Sequence, residues 1–252
     1  MGKEILFIAD DFGLSEEINA AILCCHQQGA LHGASLMMGQ CGTGDAVAMA
    51  RQCASLRVGL HFHWNDSLPM TVGEWPWGAS PIRAGWAIGV FAHARRLALE
   101  EMKAQWQAFQ ATGLRCDFIN SHHHLHLHPM IFPELLKLVR GRFDGWIRAG
   151  TPRFFGWIPA FAGMTRRGGD IFSRAALGMI ARRARRKCSF RVSDTLWGVD
   201  RLFCMNAEEV QQTAERLPDG LHEFIFHPRK MKDDADAACL MRLRALVREG
   251  KI

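Results

Sequence analysis

Short apolar runs alternate with longer amphipathic stretches over most of the chain. The apolar runs predict buried strands over residues 4–10, 33–39, 57–63, 116–122, 145–150 and 221–228. The amphipathic stretches predict helices over residues 15–29, 43–55, 93–113, 131–143, 171–187, 206–217 and 234–249. Strands that alternate with helices of this length are typical of βαβ units, so the pattern predicts an α/β fold with a parallel sheet.

Two stretches break the alternation. Residues 64–90 are rich in Trp, Pro and Gly and are predicted to form a long loop. Residues 151–170 combine glycines, prolines and aromatic residues and fit no clear element. The chain of 252 residues shows no short repeat and no linker, so we expect a single domain, as in many α/β barrels.

The composition is that of a folded protein. Hydrophobic residues make up 48% of the chain, enough for a sizeable core. No apolar stretch reaches the ~18 residues of a membrane-spanning helix, and the first residues lack a signal-peptide pattern, so we expect a cytoplasmic location. The 8 cysteines form no C-x-x-C pair and are expected to be reduced. Tyrosine is absent, which excludes mechanisms that need a phenol.

Much of the net charge of +6 lies within residues 181–191. On a helical wheel these basic side chains spread around most of the circumference, which favours a solvated helix end over a helix lying on a membrane. Weak peripheral attraction to anionic lipid at the inner membrane face stays open. A membrane-surface or nucleic-acid-binding protein without catalysis is the alternative from another functional class, although no nucleic acid is expected. The sequence leaves a homodimer open.

Acids and imidazoles follow three of the predicted strands. Asp10 and Asp11 end the first strand, and His61 and His63 end the third. The strand after the long helix runs into "NSHHHLHLHP" (120–129), which holds five of the 12 histidines. The carboxyl ends of parallel strands meet at one edge of the sheet, where the active sites of such folds lie. We therefore expect these side chains to converge.

Two histidines and one carboxylate form a common ligand set for a divalent metal that keeps open positions. Asp10 and Asp11 are adjacent on a predicted extended segment, so their side chains should point in opposite directions. One would bind the metal and the other would transfer protons, an arrangement that suits metal-assisted hydrolysis. The rival enzyme class is a non-haem iron oxygenase, which uses a similar ligand set but commonly on a jelly roll.

The histidine run offers more imidazoles than one ion can bind. An extended backbone would place four of them on one face, His122, His124, His126 and His128. Some of these side chains would line the pocket or orient the ligands.

Two more strand ends carry candidate functional side chains. His227 ends the last strand and could donate a proton to a leaving group, although a lone histidine there is as often structural. Arg148 could hold a substrate oxygen or pair with an acid such as Asp10. Four tryptophans in and around the long loop could stack on a sugar or lipid, or simply pack against the barrel: Trp64, Trp75, Trp77 and Trp86.

The chain resembles the YdjC-like carbohydrate deacetylase family. The matching stretches occur in the same order over nearly the full length: "ADDFGLS" (9–15), "VGLHF" (58–62), "SHHHLHLHP" (121–129), "IRAG" (147–150) and "FIFHP" (224–228). "ATGLRCDFINSHHHLHLHP" (111–129) and "RVSDTLWGV" (191–199) look most similar to the hopanoid-biosynthesis branch, the HpnK-like proteins.

The resemblance implies a deformed (β/α) TIM-like barrel and a divalent cation, magnesium or zinc. Matching positions imply Asp10 as the general base and three metal ligands, Asp11, His61 and His122. The implied reaction removes an acetyl group from an N-acetylated sugar, either an N-acetylglucosaminyl hopanoid lipid or an oligosaccharide such as a chitooligosaccharide. We expect three further side chains at the substrate, Arg148, His124 and His126.

Four departures from the family pattern stand out. Asn120 replaces an aspartate, which changes the support behind the ligands, and His63 is an additional imidazole. Arg229 and Lys230 replace small residues. Residues 156–170 match nothing in the family and look like an insertion, which puts the local structure and full activity in question.

Overall fold

The computed structural model describes residues 2–153, 168–200 and 203–249. In this part of the chain the strands are β1 (Lys3–Phe12), β2 (Gly33–Leu36), β3 (Arg57–Phe62), β4 (Phe118–Ser121), β5 (Trp146–Ile147), β6 (Thr151–Pro152), β7 (Arg191–Val192), β8 (Thr195–Trp197) and β9 (Gly220–Phe226). The helices are α1 (Glu16–Gln27), α2 (Thr43–Gln52), α3 (Pro81–Val90), α4 (Ala92–Ala111), α5 (Phe132–Val139), α6 (Gly168–Lys187), α7 (Ala207–Arg216) and α8 (Ala235–Arg248).

All described strands belong to one parallel sheet in the order β6-β8-β9-β1-β2-β3-β4-β5-β7. The sheet curls into a half-barrel flanked by helices. The predicted α/β class and TIM-like parallel architecture are confirmed. Strands β9, β1, β2, β3 and β4 are consecutive neighbours, so the acids and histidines at their carboxyl ends share one rim.

Helix α3 lies within the stretch that was predicted to be a loop. Its start follows a standard pattern, because the Ser80 side chain accepts a hydrogen bond from the backbone of Arg83 and Pro81 occupies the first turn. The prediction was wrong because the density of Trp, Pro and Gly outweighed this start signal. The short strands β6, β7 and β8 were also missed, being too brief to show an apolar run.

Three of the four loop tryptophans belong to the core. Trp64, Trp75 and Trp77 are buried, so packing against the sheet is the interpretation that holds for them. Trp86, in contrast, is 61% exposed. Within the described residues, no helix combines the length and apolar character needed to cross a membrane. The atypical segment predicted near 151–170 lies mostly outside the described residues.

Candidate active site

A backbone irregularity at the end of β1 places two carboxylates around one histidine. Asp11 adopts a left-handed conformation with φ of 66°, and the register between β1 and β2 shifts between Ala9 and Phe12. The shift interrupts the regular alternation on which the prediction of opposite directions for the Asp10 and Asp11 side chains was based. Asp11 approaches Nε2 of His61, while Asp10 reaches the Nδ1 side of the same ring through its neighbours.

Asp11, His61 and His122 bring three ligand atoms together. Oδ1 of Asp11 lies 3.4 Å from Nε2 of His61 and 3.2 Å from Nδ1 of His122. All three ligand atoms lie within 4.8 Å of one another. Asp11 lies in β1, His61 lies in β3 and His122 directly follows β4, in agreement with the predicted convergence of strand ends.

These residues fit a divalent cation. Oδ1 of Asp11 and Nε2 of His61 are both buried and make no hydrogen bond within the described part of the chain. Leaving two such atoms without partners is costly unless a cation satisfies them. Burial raises the pKa of Asp11, but the adjacent imidazoles of His122 and His61 hold it well below its usual range. The carboxylate is therefore ionised and available as a ligand at neutral pH.

Asn120 fixes the orientation of the His61 ring. Its side-chain nitrogen donates to Oδ1 of Asp10 at 3.1 Å, which turns its oxygen toward Nδ1 of His61 at 2.6 Å. An oxygen at this position accepts a hydrogen bond from Nδ1–H and leaves the Nε2 lone pair free for a cation. Ser35 supports both groups, donating to Asp10 at 2.7 Å and lying 3.1 Å from His61 Nδ1. The asparagine thus provides the ligand support that its departure from the family pattern brought into question.

Arg148 and two carboxylates form a fully buried ion-pair network. Nη1 of Arg148 lies 2.6 Å from Oδ2 of Asp10, and its Nε lies 2.9 Å from Oε2 of Glu223. Of the two roles predicted for Arg148, the structure shows the pairing with Asp10. Burial raises the pKa of Asp10, but the charges of Arg148, His61 and His227 outweigh it and keep the pKa far below the usual range.

The histidine run is a tight turn, so the condition under which His122, His124, His126 and His128 would share one face is not met. Residues His122–Leu127 form a 3-10 turn, hereafter the histidine turn, with φ of 53° at His123 and 58° at His124. The hydroxyl of Ser121 starts the turn by accepting from the backbone nitrogen of His126 at 2.8 Å. This local hydrogen bond competes with strand geometry in a way that a hydrophobic pattern does not reveal.

The histidines of this turn have different hydrogen-bonding surroundings. Both ring nitrogens of His126 are engaged, one with Ser121 at 2.8 Å and one with the carbonyl of Arg148 at 2.7 Å. Neither is free to bind a substrate, so His126 supports the turn. In His124 the Nδ1 atom is buried and has no hydrogen-bond partner in the described chain. His63 is buried away from solvent between Met38 and Ser67, and burial lowers its pKa to about 4.

His227 lies at the same rim after β9. Its backbone nitrogen donates to Oδ2 of the buried Asp236 at 2.7 Å, and its ring meets Phe203 edge-on at a centroid distance of 5.6 Å. Burial raises the pKa of Asp10 and of Asp11. Arg148 lowers the pKa of Asp10 and His122 lowers that of Asp11, and His227 adds a smaller lowering contribution to both.

Sequence reasoning missed two buried acids that hold the site in place. Glu223 lies within the apolar run of β9, and Glu101 lies on the buried face of α4. The Glu101 carboxylate accepts from the backbone nitrogens of Met70 and Thr71 and so anchors the loop that follows β3. A charged residue inside a buried run was a usable signal, because such groups are rarely buried without partners.

The loop anchored by Glu101 carries another acid to the rim. Asp66 is exposed, and its Oδ2 lies 4.0 Å from Nε2 of His122. The opposite nitrogen of this ring faces Asp11. Asp66 therefore lies on the solvent side of the candidate metal ligands.

Comparisons with known proteins identify the family of the chain. The model of the YdjC-like protein family matches residues 4–248. A carbohydrate deacetylase of Vibrio vulnificus (strain YJ016) is 33% identical over 141 residues, and one of Brevibacillus brevis is 34% identical over 138 residues. Each alignment covers 54% of this chain and 55% of the relative, so the chain spans about half the length of the curated relatives it matches.

A solved structure shares the fold over the whole chain. A crystal structure from Enterococcus faecalis V583, described as that of a cellobiose-phosphate cleavage protein, superposes with a TM-score of 0.67. The alignment covers 100% of this chain and 96% of that chain at 17% sequence identity, which establishes the fold alone. The family model spans all the strands that carry the convergent acids and histidines, and the chain belongs to the YdjC-like protein family.

Proposed function

We propose that this protein is a metal-dependent hydrolase that removes an acetyl group from an N-acetylated sugar. The observation that carries the proposal is the convergence of Asp11, His61 and His122. Oδ1 of Asp11 and Nε2 of His61 are buried without hydrogen-bond partners in the described chain, and the ionised Asp10 lies beside them. The curated relatives are carbohydrate deacetylases. The nitrogen-rich donor set favours zinc over magnesium, which prefers oxygen ligands.

The residues around the candidate ligands would transfer protons and contact the substrate. Asp11, His61 and His122 would hold the cation, which would supply Lewis-acid activation of the acetyl carbonyl and of the attacking water. Asp10 accepts the proton of the attacking water, and Arg148 keeps its carboxylate ionised and oriented. His227 donates a proton to the departing amine from the opposite side of the rim. Nη2 of Arg148 and Nδ1 of His124 have no partners in the described chain, but both atoms are buried, so the predicted contacts of these side chains with a substrate require the rim to open.

We infer an N-acetylglucosaminyl hopanoid lipid as the substrate, on the resemblance to the hopanoid-biosynthesis branch. N-acetylated oligosaccharides are the alternative. A lipid-linked substrate also supports a peripheral position at the inner membrane face. The rival oxygenase reaction is less well supported, because the described sheet is parallel and not a jelly roll.

Acetate release tests the proposed reaction. Purified full-length protein loaded with zinc, manganese or magnesium is supplied with N-acetylglucosaminyl lipids and chitooligosaccharides, and acetate is measured enzymatically. We expect metal-dependent release of one acetate per free amine formed, with no consumption of oxygen. A metal-loaded protein that releases no acetate from any of these compounds would contradict the proposal, and oxygen consumption would favour the oxygenase.

Asp10→Asn tests the role of the base. Loss of a positioned general base is expected to lower the rate of acetate release by about 10²–10⁴-fold with bound metal retained. Metal content has to be measured on the same preparation, because Asn120 links Asp10 to the His61 ring. Full activity would remove Asp10 as the base. Parallel loss of metal would show instead that Asp10 acts by orienting a ligand.

A further inference from the structure

Helix α3 presents an apolar stripe to solvent. Ile82, Trp86 and Val90 are spaced by four residues and are 79%, 61% and 56% exposed. Residues at this spacing line one face of a helix. Phe91 extends the stripe, with its ring 5.0 Å from that of Trp86 in an edge-on contact. These four residues, hereafter the α3 stripe, are large apolar side chains brought together on one exposed face.

The opposite face of α3 is apolar as well. Ala84 and Ile88 are buried against the rest of the protein. Arg83 is the only charged residue within the helix. A helix at a protein surface ordinarily has a polar outer face, and a helix that is apolar all round is normally covered on every side. Contiguous exposed apolar side chains of this size mark a binding surface.

The chain segment that holds the α3 stripe is basic. No Asp or Glu occurs between Glu74 and Glu100, whereas this interval contains Arg83, Arg95 and Arg96. Nε of Arg96 lies 3.8 Å from Oε1 of Glu100, which partly offsets its charge. The guanidinium of Arg95 donates to the carbonyl oxygens of Ile88 and Gly89, at 3.2 and 2.9 Å, which holds a positive charge at the end of α3. Apolar side chains flanked by arginines complement an anionic bilayer surface, where a tryptophan fits the boundary between headgroups and acyl chains.

A second copy of the chain fits the stripe less well. A twofold dimer brings the same patch of each copy together, so the arginines around one stripe would face those of the other. Like charges placed opposite each other oppose association. An anionic lipid surface can instead bury the apolar side chains and attract the arginines to its headgroups.

The stripe lies beside the candidate active site. Helix α3 packs on the histidine turn, where Gly85 and Gly89 face Leu125 and His128. His122, at the start of the same turn, is a candidate metal ligand. A membrane that contacts α3 would therefore hold this rim close to the lipid headgroups.

We propose that the α3 stripe and its flanking arginines dock this protein on an anionic membrane surface. The docking face differs from the basic cluster within 181–191 and does not depend on the proposed reaction. It differs also from a spanning segment, since α3 has only 10 residues and would lie in the plane of the interface.

Vesicle co-sedimentation tests the docking surface with the full-length protein. Vesicles are made of phosphatidylcholine alone or of phosphatidylcholine with phosphatidylglycerol. We expect binding to the anionic vesicles that weakens with salt, and a loss of roughly tenfold or more in the variant carrying both Ile82→Ser and Trp86→Ser. The matched control is Met179→Ser, because Met179 is a 64% exposed apolar residue on α6 and lies outside the stripe. The control should bind like the unmodified protein.

Several outcomes would overturn the proposal. These are absence of binding by the unmodified protein, equal binding by the stripe variant, and equal loss in the Met179 control.

Sedimentation equilibrium without lipid provides a further test. A dimer that the two stripe substitutions dissociate would assign the face to a second copy of the chain. Circular dichroism confirms that the variants are folded. Acetate release from a soluble oligosaccharide should be unchanged in a second variant, Ile82→Ser with Val90→Ser, which weakens the stripe and keeps Trp86, so failure of docking and failure of the proposed reaction are distinguishable.

Discussion

His61→Ala is expected to remove the bound divalent cation and with it the acetate-releasing activity. Substitution leaves Asp11 and His122 as the remaining ligands of the cluster. Loss of a partner that only supports a ligand typically costs about 10–100-fold in metal affinity, and loss of a ligand itself should cost more. Elemental analysis after gel filtration should show about one equivalent of metal in the unmodified protein and little in the variant.

The matched control for this prediction is His26→Ala. His26 is a half-buried histidine on α1 whose ring contacts Leu31 and Ser55, outside the candidate site. Its replacement should leave the metal content unchanged and so accounts for any general effect of removing an imidazole. Equal metal content in both variants would show that His61 is not a ligand, and would leave its buried Nε2 without an explanation.

Sequence reasoning was most successful where chain topology alone decides which residues meet. Asp11, His61 and His122 lie far apart in the chain, but each follows or ends a strand of a predicted parallel sheet. Parallel strands bring their carboxyl ends to one edge whatever the detailed packing. The convergence could therefore be predicted without knowledge of any side-chain conformation.

Local geometry at the same strand ends could not be predicted in this way. The left-handed backbone at Asp11 and the turn started by Ser121 each depend on the conformation of a few residues. Both features interrupt a two-residue periodicity, which is the basis of any prediction about which side chains share a face. The supporting role of His126, both of whose ring nitrogens are engaged within the protein, was consequently not predicted.

Buried polar networks are a second limit. The pairing of Arg148 with Glu223 joins β9 to the strand end after β5, and nothing in either segment identifies the partner. The charged residue within the apolar run of β9 predicts that some partner exists, because an unpaired buried charge is costly. The sequence does not indicate that this partner is Arg148, or that Arg148 also pairs with Asp10.

Arg148→Met is expected to lower the free energy of unfolding by about 3–5 kcal/mol, the usual cost of removing one partner from a buried ion-pair network. The side chains of Arg148 and Glu223 are 0% exposed and that of Asp10 is 5% exposed, so water cannot replace the lost guanidinium. For a chain of this size the loss corresponds to a decrease in Tm of roughly 6–20 °C. Denaturant unfolding followed by circular dichroism measures it.

The control for Arg148→Met is Arg57→Met, which removes an ion pair with Glu4 whose side chains are 44% and 33% exposed. A solvent-exposed pair of this kind contributes about 0–1 kcal/mol to stability. The two variants therefore distinguish the effect of burial from the effect of removing an arginine.

Neutralising the carboxylates in the triple variant with Asp10→Asn and Glu223→Gln should recover part of the stability lost in Arg148→Met, because the cost arises from two uncompensated buried charges. Similar small losses for Arg148→Met and Arg57→Met would contradict this account. They would mean that solvent reaches Asp10 and Glu223, and that Arg148 is not needed to keep the proposed base ionised.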